Sequence, residues 1–133
     1  VDALLAGLGV DMRFMGEGES ADQYMVITSD STNTQHQASA GITGVRFKEP
    51  CWVNPSGGEP LLRSDGDVIA ASQRPGNGGE VILIGDFQFM DDGGYLDYED
   101  NGRFADNLAI VDPNYVPGGG DAGDDTGGAA SGR

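Results

Sequence analysis

Gly79-Glu80-Val81-Ile82-Leu83-Ile84-Gly85-Asp86-Phe87 is the stretch on which the fold turns. Its core, Glu80 to Ile84 (EVILI), lacks polar alternation, which suits a central strand covered on both faces. Immediately upstream, Arg74-Pro75-Gly76-Asn77-Gly78-Gly79 is a dense turn cluster. It predicts a hairpin back to a strand over Val68 to Ser72 (VIAAS). Farther upstream, short apolar runs at Leu61-Leu62, Val45 to Lys48 and Tyr24 to Thr28 (YMVIT) predict three more strands, the second broken by Pro50. Leu4, Leu5, Leu8 and Val10 mark the end of a helix that runs through Gly7 and Gly9 into a strand from Asp11 to Met15. Glu17 to Asp22 and residues 29–41 have no periodicity and are predicted loops. Downstream, Asn101 to Val111 places Phe104, Leu108 and Val111 on one helical face. Asp100 or Asn101 is the expected N-cap, and Pro113 the stop. Strands with helices at both ends of the chain predict an α/β layer architecture.

The last segment, 117–133 (PGGGDAGDDTGGAASGR), has no Val, Ile, Leu or aromatic side chain to bury. Ordering it would cost backbone entropy without apolar burial, so it reads as a disordered Gly/Asp-rich tether after a folded domain over 1–116. Its glycines and aspartates show no fixed period, which argues against a calcium-binding repeat. The 133 residues carry 22 Asp+Glu against 7 Lys+Arg, a formal net charge of -15. The tail holds three aspartates and one arginine, so the domain keeps -13. Such acidity excludes a nucleic-acid binder that works by phosphate neutralisation. It also disfavours direct binding to an anionic membrane. Most of the acid is Asp, and Lys48 is the only lysine. A salt-adapted origin and a high-GC genome encoding an extracellular acidic protein both account for this. A single cysteine, Cys51, excludes an internal disulfide. The chain opens on Val1 and is therefore expected to be a processed product or part of something longer.

Asp86, Asp91, Asp92, Asp97 and Asp100 gather after the EVILI strand. Ligands bind beyond the carboxyl ends of strands in open α/β sheets, and Ca²⁺ takes several such oxygens. These five are the candidate metal ligands, and calcium the one candidate cofactor. An EF-hand fails, because a loop starting at Asp97 has Leu108 where a bidentate Glu is needed. The competing reading is a solvated acidic loop in which Asp86 caps the following turn. Nearby Phe87, Phe89, Tyr95 and Tyr98 suit either stacking on a ligand or core packing. For nucleophilic catalysis the chain offers one histidine, His36, and Cys51 beside Pro50 and Trp52. A Cys51–His36 dyad is conceivable, but no glycine-flanked elbow presents Cys51. Ser56 sits in a turn and lacks a base. No catalytic residue is assigned. The glycine loops do not cradle phosphate: Gly76 to Gly79 precedes a strand, and Gly16 to Glu19 is acidic.

The run Gly79-Glu80-Val81-Ile82-Leu83-Ile84-Gly85-Asp86-Phe87-Gln88-Phe89, followed by Asp100-Asn101-Gly102-Arg103-Phe104-Ala105-Asp106-Asn107-Leu108, resembles the closing strand and helix of non-catalytic class I glutamine-amidotransferase-like domains. Such domains occur in gliding-motility-type ABC transporter accessory proteins, in intraflagellar-transport proteins and appended to subtilisin-like proteases. The opening LLAGLGV and the segment ITGVRFKEPCWVNPSGGEPLL ahead of VIAASQ are similar to the same family, so the resemblance covers Leu4 to Val111 in order. It implies a flavodoxin-like three-layer α/β sandwich truncated at its N-terminal side. It also implies no amidotransferase chemistry, since Cys51 is not in an elbow and no histidine follows it. Asp86 and Asn101 fall on the family's recurrent positions, as residues that structure the loop.

The expectation is therefore a non-enzymatic accessory or interaction domain of a larger extracytoplasmic protein, secreted or at the cell surface. Its partner would be another protein or a domain of its parent chain. The alternatives are a C-terminal module of a secreted subtilisin-like protease, or a calcium-stabilised extracellular binding module.

Overall fold

A computed structural model describes residues 1–17, 24–28, 33, 35–64, 66–76, 78–91, 93 and 95–110. Helix α1 (Asp2–Gly7) leads into strand β1 (Arg13–Glu17). Strands β2 (Tyr24–Thr28), β3 (Gly44–Lys48), β4 (Cys51–Asn54), β5 (Glu59–Ser64), β6 (Asp67–Gln73) and β7 (Val81–Ile84) follow, and helix α2 (Asn101–Ala109) closes the order. Short 3-10 turns at Gln37–Ser39, Gln88–Met90 and Tyr95–Asp97 link them.

The mixed α/β class holds. The strands pair as β1-β4, β2-β3 and β5-β6-β7, and every ladder is antiparallel. The flavodoxin-like sandwich is not shown, because that arrangement needs a parallel sheet between helical layers and the described ladders contain no parallel pair. The YMVIT strand forms as read, from Tyr24 to Thr28, in register with Gly44–Lys48. The hairpin after Gln73 also forms as read, with Gly78 at φ 107 and its N–H donating to Pro75 O at 3.1 Å. Only glycine accepts that dihedral without strain.

One expectation is corrected. EVILI is an edge strand of the three-stranded sheet, and Val81, Ile82 and Ile84 are only half-buried. The central strand is β6, whose Val68, Ile69, Ala70, Ala71 and Ser72 are all buried. Small Ala and Ser side chains let neighbouring layers close on both faces of β6. The Val45 to Lys48 strand forms over Gly44–Lys48 and ends before Pro50 as read; the strand after it was not expected. Glu49 turns the chain at φ 52, and β4 resumes at Cys51 to pair with β1.

Two apolar clusters hold these parts together. The larger contains Phe47, Leu61, Leu62, Ile69, Phe89 and Phe104, with Leu108 of α2 packed against it. Phe89 meets Phe47 edge-on at 5.6 Å between centroids and Phe104 at 5.1 Å, distances at which aromatic pairs are favourable. The smaller joins Leu5, Val10, Met12, Val53, Val68, Ala71 and Leu83. Gly85 fits between the sheets: its N–H donates to Ile69 O and its carbonyl accepts from Cys51 N, each at 2.9 Å. A Cβ there would overlap the Cys51 carbonyl oxygen. Among the described residues, no helix is long and apolar enough to cross a membrane.

Candidate functional site

The aspartates after β7 are built into the edge of β3. Asp86 Oδ2 accepts from Lys48 N at 2.8 Å, and Asp86 Oδ1 accepts from Gln88 N at 2.9 Å. The second bond is the turn-capping role considered for it. Asp100 Oδ2 accepts from Thr43 N, Thr43 Oγ1 and Gly44 N at 2.6, 2.8 and 3.1 Å. Asp100 occupies the N-cap position of α2, yet its carboxylate makes no capping bond and serves β3 instead. Between these two, the buried Asn101 amide accepts from Arg46 N at 2.7 Å and donates to Arg46 O at 2.9 Å. Gly44, Arg46 and Lys48 alternate along one edge of β3, so three side chains take the place of a neighbouring strand there.

The remaining candidates do not join them. Asp91 Oδ1 accepts from Gly93 N at 2.8 Å in a local turn, and Asp97 is exposed on the Tyr95–Asp97 turn. Asp92 lies outside the described residues. Among the described residues, no three His, Cys, Asp or Glu side chains converge as metal ligands. Of the aromatics in this region, Phe89 is core, Phe87 is 76% exposed, and Tyr98 carries the Arg46 guanidinium 4.3 Å above its ring. Asp100 is held below its ordinary range: burial pushes it up, but the bonds from Thr43 and Gly44 and the charge of Arg103 outweigh that.

A different polar constellation surrounds Glu80, at the start of EVILI. The Ser72 hydroxyl donates to Glu80 Oε1 at 2.5 Å, and His36 Nε2 lies 2.6 Å from the same oxygen. Arg74 Nη2 stands 3.4 Å from Glu80 Oε2. Although Glu80 sits at the surface, its side chain is only 24% exposed. Burial raises its carboxyl, while bonds from Ser72 and His36 and the charges of His36 and Arg74 lower it further, for a net depression. Beside it opens a cavity of about 390 Å³ lined by His36, Gly57, Gly58, Glu59, Ser72, Gln73, Arg74 and Glu80. Gly58 is required at its wall, since a Cβ would come within 2.7 Å of Met12 Sδ and Ser72 O.

The wiring limits the chemistry. His36 Nδ1 accepts from Ala38 N at 3.1 Å, so a neutral imidazole carries its proton on Nε2 and donates it to Glu80. Ser72 therefore has no imidazole base: serine and histidine both donate to the carboxylate, whereas a catalytic triad runs from serine through histidine to acid. The same two contacts occupy both ring nitrogens, and a Cys51–His36 dyad is not formed. Sequence reasoning missed this cluster because His36 and Glu80 stand 44 residues apart. Only the Ser72 to Glu80 half, across the predicted hairpin, had a local signal. No family model, curated protein or solved structure matches the chain.

Proposed function

We propose that this chain is a non-enzymatic accessory domain that binds a protein partner or another domain of its parent chain, outside the cytoplasm. The observation that carries the reading is an apolar stripe along α1 and its two flanking caps, Val1 and Leu8. Leu4 and Leu8 are 66% and 47% exposed, and Val1 lies one turn before them. Spacings of three and four residues put them on one side, while Leu5 points into the smaller core cluster. Met15 of β1 adds a further exposed apolar side chain. The donor arrangement at Glu80 supports the non-enzymatic half, since Ser72 and His36 both donate to the carboxylate and no imidazole base faces Ser72. Extracytoplasmic placement, the amidotransferase-like resemblance and its flavodoxin-like arrangement rest on the sequence motifs alone.

A photo-crosslinking residue at position 4 tests the reading. In the native extracellular fraction it should form a discrete adduct that the same probe at exposed Asp67 does not. Equal adducts from both positions overturn it. Turnover of an ester, peptide or glutamine that Ser72→Ala or Cys51→Ala abolishes overturns the non-enzymatic half.

A further inference from the structure

The cavity beside Glu80 has a charge pattern that selects its occupant. Glu80 is pinned through Oε1 by Ser72 and His36, which leaves Oε2 turned to the single, long contact with Arg74. Glu59 is likewise pinned through one oxygen, Oε1, by Asn33 Nδ2 at 2.6 Å. Two hydrogen-bonded carboxylates thus line one cavity with one cation, and the Arg74 side chain is 68% exposed. Glu59, Glu80 and Arg74 give the lining two negative charges and one positive. An anion would face both carboxylates beside an exposed guanidinium already paired with Glu80, at an unfavourable electrostatic balance. The cation already at Glu80 shows which chemistry the site accepts: planar N–H donors directed at a preorganised carboxylate.

The geometry points to a receptor pocket for an organic cation, a guanidinium or alkylammonium group, in which Arg74 is the built-in competitor. The incoming group takes Glu80 Oε2 in place of Arg74, and Glu59 supplies the second carboxylate. Gly57 and Gly58 keep the wall free of side chains. The pocket lining and the α1 stripe have no residue in common, so either proposal can fail alone.

An NMR titration of the full chain with methylguanidinium and ethylammonium chlorides tests it, with sodium chloride and sodium acetate as matched controls. Saturable shifts are expected at His36, Gly57 and Ser72 with the cations only. Arg74→Ala, at an exposed position, should tighten binding roughly two- to fivefold, the worth of one exposed ion pair. Glu80→Gln should abolish saturation. Linear shifts equal to those of the controls overturn the proposal, as does unchanged or weaker binding in Arg74→Ala. The Arg74 variant keeps the test decisive if Glu80→Gln does not fold. A short peptide with one internal arginine separates the sources: saturation like that of methylguanidinium assigns the pocket to a partner's side chain, and saturation by the free cations alone assigns it to a small molecule.

Discussion

The side-chain amide of Asn101 forms two hydrogen bonds with the backbone of Arg46, accepting from its N–H at 2.7 Å and donating to its carbonyl at 2.9 Å. An asparagine at the first position of α2 thereby performs the hydrogen bonding of a strand residue. Asp100, whose own N–H donates to Gly44 O at 2.8 Å, extends this contact on one side, and Asp86 extends it on the other. The helix start is consequently stitched to the outer edge of β3. That edge would otherwise offer free backbone groups to other chains.

Asn101→Ala should destabilise the domain by about 2–4 kcal/mol, since it removes both hydrogen bonds to the Arg46 backbone and one of the two that the Tyr95 carbonyl accepts. Asn107→Ala provides the scale. Its amide donates to the carbonyls of Ala38 and Ala40 in a less buried setting, and about 1 kcal/mol is expected. Urea unfolding midpoints measure both; equal midpoints would deny Asn101 its special place.

Gly85→Ala should be more damaging than either, because its Cβ would meet backbone that cannot swing away. Loss of soluble protein or a fall in Tm of well over ten degrees is expected, as for several kcal/mol in a domain of this size. Gly76→Ala is the control. Nothing lies within 4 Å of its added carbon and its φ is not positive, so stability should hold or rise slightly.

These effects separate what the sequence could show from what it could not. The β6–β7 hairpin was legible because its signal is local, a glycine-rich turn between two apolar runs. The centre of the sheet was misplaced because VIAAS, with small and partly polar residues, looks less like a buried strand than EVILI. Yet small residues are what two close-packed layers require. Strand β4 escaped the reading because Cys51-Trp52-Val53-Asn54 is a short run between Pro50 and Pro55; Pro50 does break β3, and the positive φ of Glu49 turns the chain to a new partner, β1. The aspartates were visible as a cluster, but their partners, the N–H groups of Thr43, Gly44 and Lys48, lie about forty to sixty residues away.

Glu80 and Asp100 both have depressed carboxyls, and this fixes the direction of the acid response. Each group adds stability that is fully present above its ordinary pKa, 4.5 for Glu80 and 3.8 for Asp100, and that is lost as pH falls through the lower folded value. Tm should therefore be flat with respect to these groups near neutral pH and drop below about pH 4. Asp100→Asn removes its proton-linked contribution, so its Tm curve should fall less steeply in acid than that of the wild type. An unchanged slope would contradict the assignment.

Calcium is the sharper test of how the acidic segment is used. Asp100 Oδ2 already accepts three donors, and each Asp86 oxygen accepts one backbone N–H. Yet Asp100 is anchored at Gly44 and Asp86 at Lys48, roughly 13 Å apart along an extended strand, so a cation recruiting both would have to pull at least one off β3 and strand the backbone groups it serves. Millimolar Ca²⁺ should accordingly leave Tm unchanged. A resident ion at about a hundredfold excess over its Kd would add about 2.7 kcal/mol, a rise of more than ten degrees in a domain this small. Such a rise, abolished by Asp86→Asn, would show that the carboxylates trade their backbone partners for metal. A flat response would leave them as the surrogate strand that closes the edge of β3.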